Sequence, residues 1–175
     1  MKKSFVYVVI ALFITSFANG QEFKQGTSVI NVGFGLGGSY NTVESLSQRP
    51  SISASYEYGM WDVPGPGVVS LGGYLGHKSY KFDNNDKWNY TILGVRGAYH
   101  YNGLEIDDLD VYGGAMLSYN MLSYDNTYYA AGTYGNELGI SAFIGGRWYF
   151  TDNFGAYAEL GFGVANLSIG VALRL

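Results

Sequence analysis

The chain has no cysteine, only three prolines and two histidines in 175 residues, and just one long apolar run. Each shortage excludes something. Without cysteine there are no structural disulfides and no lipid anchor attached through a thiol. Two histidines and no cysteine give no cluster with metal-ligand spacing, so neither a metal nor another cofactor is expected. Basic residues are scarce as well: 10 Lys and Arg stand against 14 Asp and Glu, for a formal net charge of −4. That balance is a poor footprint for nucleic acid, which calls for a clustered basic face, so no nucleic-acid partner is expected.

The single apolar run, Phe5 to Phe17, is too short for a spanning helix of about 20 residues, and no second one follows. A helical membrane protein is thereby excluded. Lys2 and Lys3 before the run, and Ala18-Asn19-Gly20 after it, make residues 1–20 read as a secretory signal cleaved near Gly20. The remaining residues, 21–175, suffice for one domain.

What the chain has in quantity is glycine (26 residues), tyrosine (17 residues) and alternation. In the terminal stretch Leu167, Ile169, Val171, Leu173 and Leu175 share one face of a strand, and Ser168, Gly170, Ala172 and Arg174 share the other. Similar segments recur from Ser28 to Tyr40, Ser51 to Met60, Val68 to Tyr80, Tyr90 to Tyr101, Val111 to Leu122, Leu138 to Phe150 and Phe154 to Val164. Asp62 to Gly67, an acidic stretch from Asn102 to Asp110, and Thr151 to Asn153 read as turns. A soluble sandwich would share the rhythm. Here, however, the alternate face is small, polar or charged, which suits the inside of a closed barrel whose oily face meets lipid.

Rings at the strand ends support that orientation. Tyr58, Trp61, Tyr99, Tyr101, Trp148, Phe150 and Phe154 fall at one end of the strands, and Tyr40, Tyr80, Trp88, Tyr90 and Tyr124 fall at the other. Two such girdles match the two interfaces of a bilayer. The polar breaks after the first, third and fifth strands would lie outside the cell, and the turns after the second, fourth and sixth would be periplasmic. The expected fold is all-β: a closed antiparallel eight-stranded transmembrane β-barrel.

Asp110-Val111-Tyr112-Gly113-Gly114, Gly155-Ala156-Tyr157-Ala158-Glu159-Leu160-Gly161 and the ending Ile169-Gly170-Val171-Ala172-Leu173-Arg174-Leu175 carry a resemblance. With them the chain is similar to the small eight-stranded outer-membrane barrels of the OmpA/OmpX type, in the form common among Bacteroidota. The resemblance covers residues 21–175 and implies an integral, porin-like protein of a Gram-negative outer membrane, in contact with its lipid and lipopolysaccharide. It also implies delivery to the barrel assembly machinery through the C-terminal strand, with Leu175 standing where an aromatic residue is usual. A monomer is expected. The group's members do different jobs, so the resemblance implies an architecture more than an activity.

Candidate site residues follow from strand parity. Glu57, Lys78, Arg96, Arg147, Glu159 and Arg174 fall on the lumen face, and an eight-stranded bore is just wide enough to be filled by side chains. Charges packed there must be paired. Glu57, Arg96, Arg147 and Glu159 are therefore expected to form a network, with Tyr74, Tyr112 and Tyr157 as hydrogen-bond partners. The expected function is a non-enzymatic barrel serving envelope structure or surface-loop interaction; the alternative is a narrow pore or ligand conduit. A second alternative is lipid A deacylase-like chemistry using His77 and Ser79, two residues apart on the lipid face, with Tyr80 where such enzymes carry Asn. No acidic orienter for His77 is identifiable, and no catalytic residue is assigned. His100 reads as structural. Gly33-Phe34-Gly35-Leu36-Gly37-Gly38 matches a dinucleotide fingerprint but lies within a strand with no helix after it, so its glycines read as lumen positions left small.

Overall fold

The computed structural model describes residues 23–38, 47–81, 87–124 and 136–175. The expected leader and its cleavage site lie outside these residues, as does most of each polar loop. Eight long strands form: β1 Ser28–Leu36, β2 Ser51–Val63, β3 Gly67–Lys81, β4 Lys87–Tyr101, β5 Leu109–Tyr124, β6 Glu137–Tyr149, β7 Phe154–Phe162 and β8 Leu167–Arg174. Each pairs antiparallel with its neighbours in sequence, and β1 pairs with β8 from Val29↔Arg174 to Leu36↔Leu167. That last pairing closes the sheet. A two-residue strand, Ser47–Gln48, adds to the far end of β3. The fold is a closed antiparallel eight-stranded transmembrane β-barrel.

Parity decides what lies inside. Val32, Phe34, Leu71, Leu75, Leu93, Val95, Leu117, Ile140 and Ile144 are exposed on the outer wall, while Asn31, Glu57, Ser70, Arg96, His100, Ser118 and Arg147 are buried in the bore. This inverts a soluble core, because the outer wall faces hydrocarbon. Tyr58, Trp61, Tyr99, Tyr101, Trp148 and Phe150 form an exposed ring at the end that carries the short turns. Phe154 joins that ring half-buried against Phe150, with ring centroids 6.3 Å apart. The opposite girdle differs from expectation. Tyr90 turns into the lumen and packs with Ile92, Met116 and Val164, because it shares the parity of Arg96. Tyr40 and the side chains of Tyr80, Trp88 and Tyr124 lie outside the described residues.

Several boundaries shift, each for a local reason. The turn expected at Asp62 to Gly67 shrinks to Pro64–Pro66, since Val63 still pairs with Gly67 and Gly65 supplies the positive φ of 104° the tight reversal needs. β1 stops at Leu36, because Gly37 and Gly38 take left-handed φ values of 68° and 83°. β7 stops at Phe162, and after Gly163 Val164 tucks into the bore. Asp110, expected in an acidic turn, belongs to β5 and faces Arg147 of β6 across the ladder.

Candidate functional site

The registers bring lumen residues of seven strands to neighbouring levels. Val29 of β1 is opposite Glu57 of β2, Gly72 of β3 is opposite Arg96 of β4, His100 of β4 is opposite Tyr112 of β5, and Arg147 of β6 is opposite Tyr157 of β7. Small residues make room for the large ones. A Cβ on Gly145 would lie 2.7 Å from Glu159 Cγ, and one on Gly33 would lie 2.5 Å from the Tyr157 hydroxyl.

Arg147 is fully buried and uses every edge of its guanidinium. Nη2 donates to Glu57 Oε1 at 2.8 Å, Nη1 to Asp110 Oδ2 at 2.6 Å and Nε to Asn31 Oδ1 at 3.1 Å. Its plane stacks on Tyr112, Cζ lying 4.2 Å from the ring centroid. Arg96 donates through Nη2 to Glu159 Oε1 at 2.6 Å, and Tyr112 donates to the same oxygen at 2.9 Å. Arg96 Nε lies 3.1 Å from Glu57 Oε1. That nitrogen is misaligned for a hydrogen bond, so its attraction to Glu57 is coulombic. The four residues expected to pair are thus brought together, with Glu57 bridging both arginines.

Two ionisable members beyond the expected four belong to the network. His100 Nδ1 lies 2.7 Å from Asp110 Oδ1, and its Nε2 lies 3.0 Å from Ser70 Oγ and 3.4 Å from Glu57 Oε2. Ser70 in turn donates to Glu57 Oε2 at 3.3 Å. Three carboxylates (Glu57, Asp110 and Glu159) face two guanidiniums, and an imidazole with acceptors at both nitrogens is placed to supply the remaining positive charge. Its position opposite Tyr112, near the start of β5, could have flagged His100 once Asp110 was assigned to the strand.

The ionic layer lies between two apolar clusters. Toward the turns, Phe23, Val29, Val68, Tyr149 and Ala172 cluster, and toward the loops Tyr90, Ile92, Met116 and Val164 do so, with Tyr74, Leu122 and Phe143 against them. Lys78, also a lumen candidate, sits at the loop end and reaches across the bore. Its Nζ donates to the carbonyls of Gly37, Gly38 and Val164 at 2.6, 3.0 and 2.9 Å. Arg174, near the turns, lays its guanidinium over the Tyr149 ring at 3.8 Å.

His77 and Ser79 stand apart from all of this, at the loop end of β3 on the outer face. Ser79 donates its one hydroxyl proton to Asn89 Oδ1 of β4 at 2.5 Å, while His77 Nε2 lies 3.5 Å away. A nucleophilic serine needs its proton directed at a base that a third group orients. Among the described residues no carboxylate pairs with His77, and Glu44, Asp83 and Asp86 lie outside them. Nor do the described residues hold a cluster of His, Cys, Asp and Glu suited to a metal.

No protein-family model matches the sequence, and no curated protein is recognisably similar to it. Solved structures do match. A barrel from the de novo design of transmembrane β-barrels aligns over 89% of this chain and 100% of its own, with TM-score 0.55 and 22% identity. The Yersinia pestis outer membrane protein Ail, in a phospholipid bilayer nanodisc, aligns over 86% of this chain and 100% of its own, with TM-score 0.52 and 12% identity. A crystal structure of Ail, the attachment invasion locus protein, in complex with the heparin analogue sucrose octasulfate, covers 86% and 95% at TM-score 0.50 and 10% identity. At such identities the likeness is one of fold: this chain is built as a small transmembrane β-barrel.

Proposed function

We propose that the protein is a non-enzymatic, integral outer-membrane barrel whose lumen is a structural plug, serving envelope structure or presenting its polar loops for surface interaction. One observation carries the reading: the charges of the Glu57–Arg147–Asp110 and Arg96–Glu159 pairs meet one another across the bore, between two apolar clusters. An open ion path needs solvated charges, whereas these satisfy one another. The outward apolar wall and ring of aromatic residues support contact with outer-membrane lipid and lipopolysaccharide. Delivery by the barrel assembly machinery through β8, a monomeric state and removal of residues 1–20 belong to the same proposal. Attachment, named for Ail, fits a barrel whose polar breaks in sequence after the first, third and fifth strands fall at one end.

Planar-bilayer recording of the purified, refolded protein tests the plug. Little or no conductance is expected, and a steady, large single-channel conductance would overturn the reading in favour of a pore. The enzymatic alternative has a separate test. Incubated with lipid A, the wild-type barrel and a Ser79→Ala control are expected to release no acyl chain; release by the wild type alone would reinstate His77 and Ser79 as a catalytic pair.

A further inference from the structure

We infer that Phe23–Thr27 is a strap whose ring fills a binding socket for a planar aromatic group at the turn end of the lumen. Phe23 precedes β1 and belongs to no strand, yet its side chain is 0% exposed. Its ring lies flat on the imidazole of His100, with centroids 3.6 Å apart and planes 5° from parallel. Val29, Val68, Tyr149 and Ala172 complete the walls. Asp110 and Ser70 hold the two nitrogens of His100, so the imidazole offers a fixed face to whatever occupies the socket. An aliphatic group of the same size would fill the space but lose the stacking.

The strap is fastened from outside the socket, where Gln25 Nε2 donates to the Met60 carbonyl at 2.9 Å. Asn102 Nδ2 donates to the Phe23 carbonyl at 2.8 Å, Gly26 N to Gly59 O at 2.9 Å, and Gly59 N to Thr27 O at 2.9 Å. Lys24, Gln25 and Gly26 are exposed. The barrel wall is bare where the strap crosses, because a Cβ on Gly59 would collide with the Lys24 carbonyl oxygen and lie 3.1 Å from Phe23 Cε1. Four hydrogen bonds to the rim and the strap's own turn (Thr27 N to Lys24 O at 3.0 Å) hold the segment that covers His100, against a continuous ladder along each strand, and a short segment outside the ladder opens more readily than the sheet beneath it. With the strap lifted, the His100 face and its apolar walls accept a small planar aromatic compound entering from the turn end.

The two histidines make the test internally controlled, since His77 is exposed and His100 is 0% exposed. Deuterium exchange at imidazole C2, resolved by mass spectrometry on the folded protein in detergent, reads access to each. In the wild type His100 is expected to exchange at least about tenfold more slowly than His77. Phe23→Ala should bring the two rates close together. Adding indole to that variant should restore protection, while cyclohexanol should not. Gly59→Ala, which keeps the Phe23 ring but pushes the strap outward, should also speed His100 exchange, and it decides the matter alone should Phe23→Ala fail to fold. Unchanged protection of His100 in folded Phe23→Ala or Gly59→Ala would overturn the inference, and so would equal protection by indole and cyclohexanol.

Discussion

At the scale of single residues, Arg147 is the member of the lumen network with most to lose. It bonds to Glu57, Asp110 and Asn31 at once, so Arg147→Met leaves Asp110 with His100 alone and Glu57 with Arg96 and His100, three buried carboxylates against a single guanidinium. Breaking a buried pair from one side costs about 3–5 kcal/mol, because the buried carboxylates are left short of positive charge. Glu57→Gln is milder, since Arg147 keeps Asp110 and Arg96 keeps Glu159; about 1–3 kcal/mol, the worth of charged hydrogen bonds, is expected. Urea unfolding of both variants in detergent micelles measures the order. A midpoint for Arg147→Met equal to that of the wild type would show that the network does not hold the bore together.

At the scale of strands, the period-2 rhythm makes most of the barrel legible in the sequence. Leu93 and Val95 face outward and Arg96 inward as their alternation requires, because a one-residue slip would put every side chain on the wrong face. What the rhythm could not resolve were residues whose local surroundings resembled something else. Asp110 follows Asp107 and Asp108 and so reads as one more acid in a turn, although its partner Arg147 lies 37 residues away in sequence. Tyr90 was placed by its position at a strand end, whereas its parity with Arg96 sends it inward. His100 carried no signal of its own, since Asp110, Ser70 and Phe23 reach it from three separate segments. The outward face has its own test. Leu117, 56% exposed near the middle of β5, is expected to cost about 2–4 kcal/mol when changed to Arg, as a charge held at the bilayer midplane does. Leu104, 49% exposed in the turn before β5, should tolerate Arg for about 1 kcal/mol or less. Equal tolerance at the two sites, measured by refolding into lipid vesicles, would count against a membrane-facing wall.

For the whole molecule, the property that matters is closure. Each of the eight long strands has two partners only because β1 joins β8 along eight residue pairs, from Val29↔Arg174 to Leu36↔Leu167. Removing Leu167–Leu175 would leave β1 and β7 as open edges inside hydrocarbon, where each unpaired N–H and C=O costs several kcal/mol. The same deletion takes away Ala172 from the apolar layer at the turn end, and the Arg174 guanidinium from its place over Tyr149. Loss of the seam should therefore abolish the native state as a whole instead of trimming one strand from it. The readout is electrophoretic: a folded barrel kept unheated in mild detergent runs as a compact species and shifts on boiling. The full-length protein is expected to show that shift. The truncated chain should run identically before and after boiling, and a retained shift would mean that the seam between β1 and β8 is dispensable for the fold.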